Sequence, residues 1–270
     1  MICAIGDLLL DVVVRVDGPI AADTDTYGRS RVAPGGQAAN VAAWVAALGG
    51  RARFVGKRAR DPAGRLLAAE LAGRGVELAG PEVEGGTGTV VSLADSEGRR
   101  TMLTDRGIAP ALAPDELDPV WFACEALHVP GYSLTRFPIG DAAREGVRIA
   151  REAGASVSVD LSGTSAIEEL GVDRFRHVVA ELRPDTVFGN EDEFELVGVL
   201  EAPTMVVKLG SRGCVVRRDG AETELAAEPA EVLDTTGAGD AFAAGWLVGG
   251  PEVALAAAAR CVASMGAFPE

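Results

Sequence analysis

Asp234-Thr235-Thr236-Gly237-Ala238-Gly239-Asp240, followed by Ala241-Phe242-Ala243-Ala244-Gly245-Trp246-Leu247-Val248, is the stretch whose reading decides the fold. Its front half is small, polar and glycine-bearing, which suits a turn whose backbone must come close to a ligand. Its back half is apolar and almost uncharged, and reads as a buried helix. A loop that runs into a helix start offers unpaired N–H groups and the positive end of the helix dipole, so it attracts anions. Asp240 stands where those donors converge. A bound phosphate repels a carboxylate there, so the residue calls for a reason other than anion affinity. Taking the proton from a hydroxyl about to attack phosphorus is such a reason, and it points to phosphoryl transfer. The plainer reading of Asp and Gly before an apolar run is a helix cap. Two familiar nucleotide loops fail on spacing. Neither lysine, Lys57 or Lys208, follows a Gly-x-x-x-x-Gly loop, and Phe242 stands where a dinucleotide fingerprint needs Gly or Ala.

Outward from that stretch, 270 residues of which 48% are hydrophobic permit a substantial core and one large domain with a small appendage. A formal net charge of −15 argues against nucleic acid or an anionic membrane as partner, since both require a basic face. It leaves room for a nucleotide, which a few backbone donors and a metal bind locally. Cys3, Cys124, Cys214 and Cys261 are scattered and read as reduced thiols of a cytoplasmic protein. Two histidines, His128 and His177, are too few for a histidine-rich metal site. The apolar run from Ile2 to Val16 is interrupted by Asp7 and Asp11 and has no basic leader, so it reads as neither signal peptide nor membrane span.

In chain order, Ile2–Gly6 reads as a short buried strand, Val12–Val16 as β-prone up to a Gly18-Pro19 turn, and Tyr27–Val32 as a return strand. An Ala-rich helix is expected over Val41–Leu48, a strand over Arg53–Gly56 and a helix from Pro62 to about Arg74. Thr87–Ala94 and Arg99–Thr104 flank Asp95-Ser96-Glu97-Gly98 as a hairpin, and the early strands suggest a small sheet apart from the main core. Strand–helix alternation follows. Strands are expected at Ala126–Val129, Ser156–Asp160, Thr186–Gly189 and Met205–Lys208, and helices at Ile139–Glu152, Asp173–Leu182 and Glu191–Val197. That pattern implies a mainly parallel sheet covered on both faces. A late hairpin (Cys214–Arg217, Glu222–Ala226) and two helices (Gly239–Val248, Glu252–Met265) finish the chain. Ligands of such sheets bind beyond the C-terminal strand ends. Asp11, Gly35 to Asn40, Asn190, Glu193, Gly210 and Asp240 all fall at strand ends or helix starts.

With those residues in view, the chain resembles the ribokinase-like, or phosphofructokinase B, family of carbohydrate and nucleoside kinases. Pro34-Gly35-Gly36-Gln37-Ala38-Ala39-Asn40 resembles its N-terminal signature, and Asp234 to Phe242 its C-terminal one. Asn190-Glu191-Asp192-Glu193 matches its Asn-x-x-Glu motif, and Val207-Lys208-Leu209-Gly210 looks like the strand and turn before the nucleotide. The resemblance implies a three-layer α/β/α fold over residues 1–270 and a β-sheet lid from about 11–33 and 87–105. It implies Asp240 as general base and the amides of Gly237, Ala238 and Gly239 as the anion hole. Asp11, Gly35, Gly36 and Asn40 would bind the acceptor. Asn190, Lys208, Gly210, Ser211 and Gly213 would border ATP. Asn190 and Glu193 would organise Mg2+ through water, and Asp234 and Thr236 stand where some relatives hold a monovalent cation such as K+.

Each role has a plainer counterpart: Asn190–Glu193 is also a good helix-capping pattern, the Gly210 turn a tight hairpin, and Asp11 a solvated edge residue. Asp7 reads as satisfying strand-end N–H groups, and the family often has lysine where Gln37 stands. His128, Arg106 and Asp160 read as core polar or surface residues. The expectation is an ATP-dependent kinase acting on a hydroxymethyl group of a small sugar, dimeric through its lid. Scarce aromatic residues speak against a base-stacking platform. A nucleoside kinase and a non-catalytic sugar-binding protein on the same scaffold are the alternatives.

Overall fold

The computed structural model describes residues 1–16, 18–94 and 100–269. Its first elements are β1 (Ile2–Ile5), β2 (Leu9–Val16), β3 (Gly28–Gly35), α1 (Gln37–Ala47), β4 (Ala52–Val55), β5 (Arg58–Ala59), α2 (Pro62–Gly73), β6 (Glu77–Ala79), β7 (Glu82–Val83), β8 (Thr87–Ala94) and β9 (Arg100–Gly107). After a run of short 3-10 turns come β10 (Ala126–Pro130), α3 (Gly131–Leu134), α4 (Ile139–Glu152), β11 (Ser156–Asp160), α5 (Thr164–Leu170), α6 (Val172–Leu182), β12 (Thr186–Asn190) and α7 (Glu191–Val197). The chain ends with β13 (Thr204–Lys208), β14 (Cys214–Arg218), β15 (Ala221–Leu225), α8 (Ala238–Gly249) and α9 (Pro251–Val262).

One large sheet runs in the order β15-β14-β13-β12-β11-β10-β1-β4-β6. Its strands from β13 to β6 are parallel, and β14 and β15 add an antiparallel edge. The strand alternation decides the layers. In β1, Ile2 and Ala4 face one core, with α1, α2, α8 and α9, while Cys3 and Ile5 face the other, with α4, α5, α6 and α7. Both faces are thus covered, which is why β1 and β10 are buried along their whole length. Helix α8 carries small residues where it crosses α9: a Cβ on Gly245 would lie 2.6 Å from the Ala254 Cα.

A second sheet, β3-β2-β8-β9, stands apart from the first. Across it the register aligns Asp11 with Val90, and Val90 with Thr104, so these three side chains share one face. The tip expected at Asp95-Ser96-Glu97-Gly98 lies outside the described residues.

Several boundaries differ from the sequence expectation, among them the start of β2 (Leu9), the end of β9 (Gly107) and the end of α9 (Val262), and one cause accounts for two others. Strand β3 runs on through Pro34-Gly35, and α1 begins at Gln37 rather than Val41. Gly36, with φ 93°, makes the whole turn between them, so nothing is left over for a loop. Strands β5, β6 and β7 and helices α3 and α5 were not expected; at two to seven residues they are too short for periodicity to show, and α3 and α5 lack the capping box that marks the equally short α7.

Candidate active site

The main-sheet order reverses between β10 and β1, and parallel sheets open a crevice at such a point beyond their C-terminal strand ends. A cleft of about 880 Å³ lies there, roofed by the small sheet. It is lined from the main sheet by Asp7, Pro130, Asp160 and Lys208, from the small sheet by Asp11, Val90 and Thr104, and from α8 by Gly239 and Asp240.

Helix α8 delivers the last two. Gly237 caps it in the left-handed region (φ 78°, ψ 0°), and a Cβ there would lie 2.6 Å from Ala267. First-turn amides have no acceptor within the helix, so Gly239 and Asp240 present theirs at the cleft. Ala238 is turned away: its N–H reaches the Thr235 carbonyl at 3.3 Å. Asp234 holds the preceding loop. Its Oδ1 accepts from Thr236 N (2.9 Å) and Oγ1 (2.7 Å), and its Oδ2 from Gly266 N (3.0 Å).

The Asp240 carboxylate is 8% exposed and accepts a bond from Asn40 Nδ2 at 2.7 Å. Burial pushes its pKa up to about 7, against the pull of Asn40, with nearby Asp160 raising it further. The side-chain oxygen of Asn40, Oδ1, is buried without a protein partner. Gln37, in doubt from the sequence, lines the cleft, bonds Asp240 and accepts from Ser162 Oγ. Lys208 Nζ lies 3.1 Å from where a Gly239 Cβ would be, so the glycine lets an ammonium approach the helix start. That ammonium is paired with Asp160 at 2.7 Å. Burial opposes its charge, but Asp160, Glu193 and Asp240 together hold its pKa above the ordinary value.

The acceptor side is built on the small sheet. Asp11 has its pKa raised to about 6, first by burial and then by the nearby Asp234 carboxylate. Gly35 touches the carboxylate of Asp11, and a Cβ there would lie 2.2 Å from it. Two residues read as bland from the sequence prove to be cleft residues. Asp160 pairs with Lys208, and Arg106 forms a two-point ion pair with Asp7 (2.5 and 2.9 Å) while donating to the Tyr132 carbonyl at 3.0 Å. Asp7 therefore answers a guanidinium and not strand-end N–H groups. A place near an expected strand or lid end was the available signal for both, and nothing local named their partners. His128 is fully buried, bonded to Ser158 and held neutral with a pKa near 4 by burial, as a core polar residue.

On the nucleotide side, Asn190 and Glu193 cap α7 reciprocally: Glu193 N donates to Asn190 Oδ1 at 2.8 Å and Asn190 N to Glu193 Oε2 at 2.8 Å. Glu193 lines the cleft and burial raises its pKa; Asn190 lies beside Lys208 on the neighbouring strand, outside the lining. Gly210, Ser211 and Gly213 form the β13–β14 turn, also outside the lining. Gly213 is demanded by the hairpin itself, since a Cβ would lie 1.9 Å from the Leu225 carbonyl. Among the described residues no three His, Cys, Asp or Glu side chains cluster to hold a metal directly.

Comparison with known proteins identifies the family and the fold. The sequence profile for "pfkB family carbohydrate kinase" matches residues 1–267. Fructokinase-1 of Zea mays is 31% identical over 262 residues, covering 90% of this chain and 80% of that protein. The ATP-dependent ribose-1-phosphate kinase of Halopiger xanaduensis is 34% identical over 254 residues, covering 90% and 82%. The crystal structure of adenosine kinase from Sinorhizobium meliloti superposes with a TM-score of 0.88 at 25% identity, over 99% of this chain and 95% of that one. The chain belongs to the pfkB family of carbohydrate kinases and is an ATP-dependent sugar or nucleoside kinase.

Proposed function

We propose that the cleft transfers the γ-phosphoryl group of ATP to a hydroxymethyl group of a small sugar, with Asp240 as general base. The observation that carries this reading is the Asp240 carboxylate itself: buried at the open start of α8, facing the cleft, with a pKa near 7. A base with that pKa is ionised in half the molecules at neutral pH and still strong enough to take a proton as the hydroxyl attacks. The acceptor oxygen forms a bond to phosphorus, its proton passes to Asp240, and ADP leaves. Asn40 holds the carboxylate in line and offers its unpartnered Oδ1 to a second hydroxyl. Asp11, at the roof, accepts hydroxyl hydrogens, and Gly36 brings the backbone of α1 up to the acceptor.

The amides at the start of α8 and the Lys208 ammonium receive the migrating phosphoryl group, where preorganised donors lower the barrier most. Mg2+ fits this donor set. It keeps most of its water and takes other ligands from substrate phosphates, so the buried Glu193 carboxylate, reached through water, suits it better than a protein cage would. When bound, the ion neutralises charge on the phosphates. Asn190, Gly210, Ser211 and Gly213 border the nucleotide beyond Lys208. For Asp234 and Thr236 we favour a clamp over a K+ site, because the two side chains bond each other and Asp234 also ties the loop to the Gly266 amide.

The small sheet acts as the lid that excludes water, a competing nucleophile. Its outer strands leave Val32 and Leu103 more than half exposed, which supports pairing of two lids in a homodimer. No described helix is long and apolar enough to cross a membrane. A panel of sugars and nucleosides with ATP and Mg2+, read by ADP release, tests the reading. Turnover of a sugar that disappears in Asp240→Asn supports it, and retained turnover refutes it.

A further inference from the structure

We propose that the acceptor is an uncharged polyhydroxy compound, and that the buried Asp7–Arg106 pair is the element that rejects acceptors bearing a phosphate or carboxylate. This rests on the kinase reading and narrows it: of the relatives named above, one carries a neutral sugar in its name and another a sugar phosphate.

An acceptor anion is held best by a cation whose charge no carboxylate already balances. Among the described residues, seven carboxylates and three cations line the cleft, so its own field repels anions. Each of those cations already carries a carboxylate. Lys208 is bound to Asp160 on the donor side, where the nucleotide phosphates arrive. Arg136 is bound to Glu169 at an exposed rim. Arg106 is the deep one, and three of its donors face the floor of the cleft, two on Asp7 and one on the Tyr132 carbonyl. To turn its Nε–Nη2 fork on an acceptor anion it would have to release Asp7, whose side chain is 7% exposed, and strand a carboxylate in the interior. Asp11, above the same space, has no ion-pair partner among the described residues. It repels an anion and welcomes hydroxyl hydrogens. The pair also joins the two sheets, since Arg106 belongs to β9 and Asp7 follows β1. The same contact that seats the roof thus sets the charge of the acceptor.

Matched acceptors that keep a free hydroxymethyl group decide the matter: fructose against fructose 1-phosphate and fructose 6-phosphate, and ribose against ribose 1-phosphate, each with ATP and Mg2+. The neutral member should show kcat/KM at least about tenfold higher. Asp7→Asn, which frees the guanidinium, should shrink that ratio by about tenfold. A wild-type enzyme that uses a phosphorylated member as well as its neutral partner overturns the proposal, as does an unchanged ratio in the variant. Calorimetry on Asp240→Asn with the same compounds reads the preference without chemistry. Binding of neutral sugars alone supports it, whether or not turnover is found; binding of the phosphorylated ones, or of neither class, overturns it. Absence of turnover on every acceptor would instead count against the kinase reading.

Discussion

Replacing Asp240 by Asn separates its role in catalysis from its cost to the fold. The substitution keeps shape and keeps an oxygen for the Asn40 amide, so the 2.7 Å contact survives. It removes the proton acceptor, and loss of a positioned general base lowers kcat by roughly 10²–10⁴-fold. The same change should make the ligand-free protein more stable above neutrality. In the unfolded chain this carboxyl ionises near its ordinary value of 3.8, whereas in the folded protein it holds its proton up to about 7. The folded state therefore binds the proton more tightly between those values, and the stability it brings is full below pH 3.8 and lost as pH rises through 7. A rise of that size is worth about 4 kcal/mol, an upper figure for a group with some solvent contact. At pH 8 the variant should unfold several degrees above the wild type, at roughly 2–4 °C per kcal/mol for a chain near this size, and the gap should close toward pH 4. Thermal unfolding by circular dichroism at both pH values reads the stability, and ADP release reads the rate. Turnover within tenfold of wild type, or a gap in melting temperature that does not change with pH, would refute the argument.

Further outcomes follow from single contacts. Gly35→Ala puts a methyl against the Asp11 carboxylate and should raise the acceptor KM by about tenfold or more with the KM for ATP little changed, as steady-state kinetics would show. Lys208→Met strands Asp160, which is 1% exposed, and should cost about 3–5 kcal/mol in urea unfolding; adding Asp160→Asn should recover much of it. Acceptor affinity in Asp240→Asn should strengthen as pH rises through about 6, because Asp11 accepts hydroxyls with both oxygens only when ionised; calorimetry from pH 5 to 8 checks this. Activity should be nearly equal in potassium and sodium buffers if Asp234 is a clamp.

Residues that specify their structure locally were legible in the chain. Helices Ile139–Glu152 and Glu191–Val197 and strand Ser156–Asp160 lie where period, cap and burial pattern put them. The start of α8 was readable for the same reason, since glycine, a small polar turn and an apolar run are neighbours in sequence. The alternation of strands and helices likewise fixed a parallel sheet covered on both sides, because only that arrangement buries such runs.

What only the tertiary structure decided is which polar groups meet. Asn40 and Asp240 are 200 residues apart, Asp7 and Arg106 are 99 apart, and Lys208 and Asp160 are 48 apart. A charged side chain reads alike in one sequence whether it faces water or a buried partner. The cost of burying a charge unpaired acts through space, so the pairing of Arg106 with Asp7 exists only once both sheets are in place.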